Sequence, residues 1–308
     1  MDKINIHQNK LDNEEELSLE ALEDHLTNSL REKVKLENVP IEEMPDWYGK
    51  HREISGAIIN SLVEKVESFK LALAKMRIRE NLSEEDYQKQ FFSIGRIERV
   101  ALGAHEAWNK GKQLGQSGTR GVVYGVSNDP FCYKIIYNIG KNKEAKQEHT
   151  RKEYEIQRYL KDLEVKGVKT PRIENVVNYG DYMILQMEQL NAFTVSEVID
   201  FGAPMPKSFN YDVSIDGLES YIKVAHNVDG KFLDKRGRLR RGVRHYDLHL
   251  GNVMIDKETG LLRVIDWDAS IYAEEDHENI ALENDRHHLE EARFNIEHYL
   301  NKKKRFEG

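Results

Sequence analysis

Apolar residues recur at helical spacing through much of the first hundred positions. Leu19, Leu22, Leu26 and Leu30 stand three or four apart, and so do Ile58, Leu62, Val66, Phe69, Leu73 and Met76. That period places each set on one stripe of an amphipathic helix. Pro40 and Pro45 break the chain between the two stripes. A third helix is predicted to start at Ser83, whose hydroxyl can cap it while Asp86 reaches back. Tyr87, Phe91, Ile94 and Ile97 would be its buried face. Helices this amphipathic are not stable alone. They are expected to pack on one another or on the rest of the chain, with a regulatory or substrate-docking module as the alternative role.

From Lys112 onward the period shortens to two, or to continuous apolar runs. Residues 122–126 and 133–136 read as neighbouring strands joined by a turn at Ser127-Asn128-Asp129-Pro130. A helix is predicted over 147–163, then strands over 174–179 and 182–187. Beyond Asn191 helical segments return, interrupted by a hairpin of 253–255 and 262–265 about Lys257-Glu258-Thr259-Gly260. The pattern predicts an α+β fold in three parts: a helical extension at 1–108, a sheet-rich part at 109–190 and a mainly helical part at 191–308.

Composition narrows the role. The 308 residues suffice for one large two-lobed domain or a domain with an appendage. A net charge of −8 argues against a general nucleic-acid coat, which needs a basic excess to displace counterions. The single cysteine, Cys132, excludes an internal disulfide framework, and its apolar neighbours Phe131 and Tyr133 mark it as core. Neither a signal-peptide-like stretch nor a membrane-length apolar run is visible. A reducing, cytoplasmic setting without a membrane partner is therefore expected, with an exported effector as the alternative.

The stretch richest in chemistry is His245-Tyr246-Asp247-Leu248-His249-Leu250-Gly251-Asn252, followed after one hairpin by Val264-Ile265-Asp266-Trp267-Asp268. Asp247 and Asn252, five apart on one loop, can present a base and a metal ligand toward one point. The hairpin returns Asp266 to that point at a strand end. A carboxylate with an amide oxygen suits a hard cation such as Mg²⁺. Phosphoryl transfer from ATP asks for this set: a carboxylate to orient and deprotonate the attacking hydroxyl, oxygen ligands for Mg²⁺, and a rigid frame.

The order His-x-Asp-x-x-x-x-Asn, a short hairpin, then an apolar strand ending in Asp resembles the protein-kinase-like superfamily. That resemblance covers about 112–290. It implies a bilobal fold with a reduced C-lobe, with Asp247 as catalytic base, Asn252 and Asp266 as metal ligands, and His245 as a buttress. Gly115, Gly118 and Gly121 resemble the glycine-rich loop over the ATP phosphates, at a spacing one residue longer than usual. Lys134 then stands where the phosphate-pairing lysine belongs. The family's helix glutamate falls on Glu153, which has Ile156 and Leu160 three and seven residues on, ahead of Glu155 and Glu148. Met187, Glu188 and Leu190 resemble the hinge that receives adenine, Glu188 and Leu190 through backbone groups.

Several features depart from ordinary protein kinases. His249 replaces the usual lysine, and Asp-Leu-His-x-Gly-Asn is similar to aminoglycoside and choline phosphotransferases. Asp266-Trp267-Asp268 lacks the glycine of Asp-Phe-Gly, and only about forty residues follow Asp268, so activation by loop phosphorylation is not expected. Asp285 is a candidate brace beneath the catalytic loop. The basic run from Lys231 to Arg244 reads as a surface hairpin, with a grip on an acidic substrate as the alternative. The acceptor is expected to be a protein Ser/Thr hydroxyl. A small-molecule kinase and a nucleotide-binding pseudokinase module are the rivals.

Overall fold

The computed structural model describes residues 47–79, 83–114, 121–137, 143–160, 165, 168–179, 182–226, 232–233 and 238–307. The stripe at 19–30, the prolines at 40 and 45, and Gly115 and Gly118 lie outside them. Among the described residues the fold is α+β. None of its helices is long and apolar enough to cross a membrane.

Contacts divide the chain into two compact units. The first draws on 1–127, 133–139 and 177–184, the second on 128–132, 140–176 and 185–308. Helix α1 (Trp47–Arg79) and helix α2 (Glu84–Lys110) form a hairpin in the first unit. Ile58, Leu62, Val66, Phe69 and Leu73 are buried, as their spacing predicts. The start of α2 is also the predicted one: the Asp86 N–H donates to Ser83 Oγ at 3.1 Å. Its buried face is shifted, however. Ile94, Ile97, Val100, Ala101, Ala104 and Ala107 carry it, while Phe91 is exposed. Phe91 stacks instead on Tyr87, over which Arg77 sits at 4.1 Å. The small residues at 101, 104 and 107 let the backbone come close, which a hydrophobicity count undervalues.

The two helices are fastened to each other and to strands of the same unit. Trp108 donates its indole N–H to the Arg52 carbonyl, and the Arg52 guanidinium donates to the Trp108 carbonyl. A side chain at Gly56 would collide with the Trp108 ring, and one at Gly103 with the Tyr133 hydroxyl. Helix α2 contacts β1 (Lys112–Gln113) and β2 (Gly121–Gly125). The five-stranded sheet runs β1-β2-β3-β6-β5, with β3 Phe131–Tyr137, β5 Ile173–Tyr179 and β6 Tyr182–Glu188. Asn128 at φ 68 and the Asp129 carboxylate, which accepts from the Phe131 N–H, make the turn between β2 and β3.

The second unit has its own core, in which helix α3 (Lys143–Leu160) buries Ile156 and Leu160. A four-stranded sheet runs β4-β12-β11-β7: β4 Val168–Lys169, β7 Ala192–Thr194, β11 Val253–Asp256 and β12 Leu262–Val264. The predicted hairpin is β11–β12. Its turn is closed by Asp256, which accepts from the N–H groups of Glu258 and Thr259, and by Gly260 at φ +68. Helix α4 (Val195–Asp200) has a Thr194/Glu197 capping box. Helix α5 (Tyr211–His226) and the long helix α6 (Ile280–Glu307) complete the unit, with Asp276 accepting from the first-turn N–H groups of Ala281 and Leu282. An acidic group there satisfies otherwise orphaned donors and complements the helix dipole.

Candidate active site

The loop from His245 to Asn252 hangs between β10 (Val243–Arg244) and β11 and is held from inside. His245 is fully buried. Its Nε2 donates to the Ile265 carbonyl at 2.9 Å, and its Nδ1 accepts from the Asp247 N–H at 3.3 Å. One nitrogen donating and the other accepting is the neutral ring. Burial holds its pKa below the ordinary value, against the pull of Asp285, the Ile265 carbonyl, Asp266 and Asp247. The ring also lies 4.5 Å from that of Trp267, whose indole N–H donates to Thr170.

His51, buried on α1, is likewise held down by desolvation. A folded-state pKa below the unfolded value leaves stability intact above the unfolded pKa. Stability is lost as pH falls, because the unfolded chain takes up protons that the folded one resists. Denaturant melts should thus show stability declining from about pH 6.5 downward. A flat profile between about pH 7.5 and 5.5 would contradict the neutral assignment.

Asp247 projects from this frame with its side chain 49% exposed. Asn252 is buried and donates Nδ2 to the Asp247 carbonyl at 2.8 Å and toward its carboxylate at 3.4 Å. With Nδ2 committed, Oδ1 is the atom with ligand capacity. The Asn252 carbonyl accepts from the Ile265 N–H at 2.9 Å, so the strand carrying Asp266 is tied directly to the loop carrying Asp247. Asp266 itself adopts φ 60, ψ 61. A left-handed non-glycine residue at a strand end re-aims its side chain at a cost of about 1–3 kcal/mol, a cost that concentrates at functional sites. Tyr246, at φ 69, is a second such residue, in the loop from His245 to Asn252.

Asp285, on the second turn of α6, carries the brace. It is completely buried and accepts from the N–H groups of His245 at 2.8 Å and Tyr246 at 2.7 Å, and bonds His226 Nε2 at 2.9 Å. Asn284 adds a bond to the Tyr246 carbonyl. Arg244 donates to the His226 carbonyl and lies 3.8 Å from Asp276. Neither His226 nor Asn284 was signalled by sequence, because both act across long separations with no local pattern. His249 accepts the Gly251 N–H at Nδ1, and its Nε2 stands 3.8 Å from the Asp247 carboxylate.

The remaining predicted residues are placed as follows. Lys134 lies on β3, partly buried, in the first unit. Glu153 is on α3 in the second unit, nearly fully buried, and accepts from Gln157 at 3.1 Å. Gly121 is required by packing, since a Cβ there would strike the Ile135 carbonyl of β3. Met187, Glu188 and Leu190 are each partly buried at the end of β6. The Glu188 N–H is already donated to the Arg172 carbonyl at 2.8 Å, so of its backbone groups only the carbonyl remains for a ligand. That carbonyl has a weak contact from the Cys132 thiol, and burial pushes that thiol up to about 12, as a core cysteine requires.

The basic run is corrected in part, at Arg240 and Arg244, while Lys231, Lys235 and Arg236 lie outside the described residues. β8 (Phe232–Leu233) and β9 (Leu239–Arg240) do pair as a hairpin, but Arg240 and Arg244 are buried in internal ion pairs rather than presented to a partner. Arg238 and Arg241 stay exposed.

Among the described residues no three His, Cys, Asp or Glu side chains form a metal-holding group. The expected pair, one carboxylate and one amide oxygen, is not of that kind, and its hard oxygen donors fit Mg²⁺. No family model matches the chain, and no curated protein matches it. Its chemistry has to be argued from these side chains.

Proposed function

We propose that the chain is an ATP- and Mg²⁺-dependent phosphotransferase of bilobal, protein-kinase-like organisation, moving the γ-phosphoryl group to a Ser/Thr hydroxyl of a protein. The observation that carries this reading is the Asn252–Asp247 bond, set in a loop braced by buried Asp285 and tied through Ile265 to the segment that carries Asp266 just after β12. It leaves one exposed carboxylate beside an amide oxygen, on backbone that has little freedom to move. Asp247 orients the acceptor hydroxyl and takes its proton. Asn252 and Asp266 would hold Mg²⁺, which when bound neutralises charge on the phosphates. Lys134 is assigned to the phosphates, Glu153 to the placement of Lys134, and Gly115, Gly118 and Gly121 to the loop over the nucleotide. A small-molecule acceptor is the second reading, favoured by His249 standing beside Asp247.

Thermal melts in ATP with Mg²⁺ test the nucleotide half of the proposal. A ligand at 100 times its Kd adds about 2.7 kcal/mol of stability. Wild type should gain on that order, and Asp266→Asn or Asn252→Ala should lose most of the Mg²⁺-dependent part. No gain for wild type at millimolar Mg²⁺ and ATP would end the assignment.

A further inference from the structure

Outside the reacting centre, three segments of the second unit meet on one aromatic ring. Tyr272, on β13 (Ile271–Tyr272), is 3% exposed and follows Asp266 by six residues. Its hydroxyl donates to the Glu155 carboxylate at 3.2 Å. The Arg240 guanidinium lies 3.8 Å from the ring centroid and the Lys152 ammonium 4.7 Å. Both cations are in turn paired: Lys152 with Glu275 at 2.6 Å, Arg240 with Glu274 at 2.9 Å and Glu275 at 3.7 Å. The cluster is therefore ionic, aromatic and partly desolvated, the setting in which cation–π and charge-assisted bonds are strongest.

Two of its members, Lys152 and Glu155, bracket Glu153 on α3. Residues three apart are neighbours on a helix face, and each step turns about 100°. Gripping 152 and 155 thus sets the rotation of α3 about its axis, and with it the direction in which Glu153 leaves the helix. Helix α3 also packs on the 3-10 turn Trp267–Ala269 that follows Asp266.

We propose that Tyr272 is a positioning residue, latching α3 in one rotation against the segment that follows Asp266 and so setting the placement of Glu153. This rests on the reading of Glu153 given above. The latch is made wholly of side chains the chain already carries, so no added phosphate is needed to close it. It also gives Arg240, within the basic run, an internal role.

Hydrogen exchange on the full chain, read by mass spectrometry, tests the latch, with Tyr272→Phe and Lys152→Met as variants. Phe keeps the ring and removes only the hydroxyl; Met keeps the Lys stem and removes the charge. Peptides of α3 should exchange roughly tenfold faster in each variant, with β11 and β12 unchanged. Unchanged α3 exchange, or equal acceleration in β11 and β12, overturns the latch. In transfer assays with ATP and a degenerate Ser/Thr peptide pool, KM for ATP should rise roughly tenfold while KM for the pool holds. If α3 loosens and both KM values and kcat stay put, the positioning role falls. If wild type transfers nothing, the phosphotransferase reading fails, and the exchange data still decide the latch.

Discussion

Asp247→Asn should lower phosphoryl transfer by about three orders of magnitude, the middle of the range for loss of a general base. The substitution is isosteric, and the side chain is half exposed, so little packing is lost. The new amide still offers an oxygen to Asn252 Nδ2, which now bonds mainly the Asp247 main-chain carbonyl. Folding and Mg²⁺-dependent nucleotide binding should accordingly persist while transfer from labelled ATP disappears. Transfer within tenfold of wild type would remove Asp247 from the mechanism, and a pseudokinase or another base would have to be considered in its place.

Asp285→Ala should have the largest effect on stability. The carboxylate is fully buried and is the acceptor for two loop N–H groups, with His226 as third partner. Alanine strands all three polar groups in the interior, at about 3–5 kcal/mol in total. For a chain of this size that corresponds to a fall in melting temperature of roughly 6–20 °C. Activity should fall too. Tyr246 is held at φ 69 by the bond from its N–H to Asp285, and releasing it lets the loop relax. Misplacement by about 1 Å near a reacting centre costs on the order of a hundredfold in rate. Calorimetry and transfer kinetics on one preparation would check both. A melting point within about 2 °C of wild type would show that Asp285 is not the brace.

The two predictions draw on different kinds of information. Asp247 and Asn252 are five residues apart on one loop, so their nearness is visible in the sequence. Ser83 at the head of α2 and Asp256 at the β11–β12 turn are alike in this respect: their partners are within three residues, so the local chain determines the bond. Asp285 was only a candidate, since a carboxylate near a helix start is equally well explained by the dipole. Its partners lie 39 to 59 residues away.

Period and short-range chemistry thus settled the α+β class, the main strands and the start of α2, and singled out the loop from His245 to Asn252 as the candidate site. The tertiary structure alone decided that Phe91 faces outward, that β4 and β7 complete a sheet, and that the Glu188 N–H is spent on Arg172. It alone turned Arg240 and Arg244 inward and joined Tyr272 to α3. The reason is physical. A pattern of apolar residues says that a face is buried but not against what, and a buried charge is tolerable only beside a partner that folding, rather than sequence proximity, supplies.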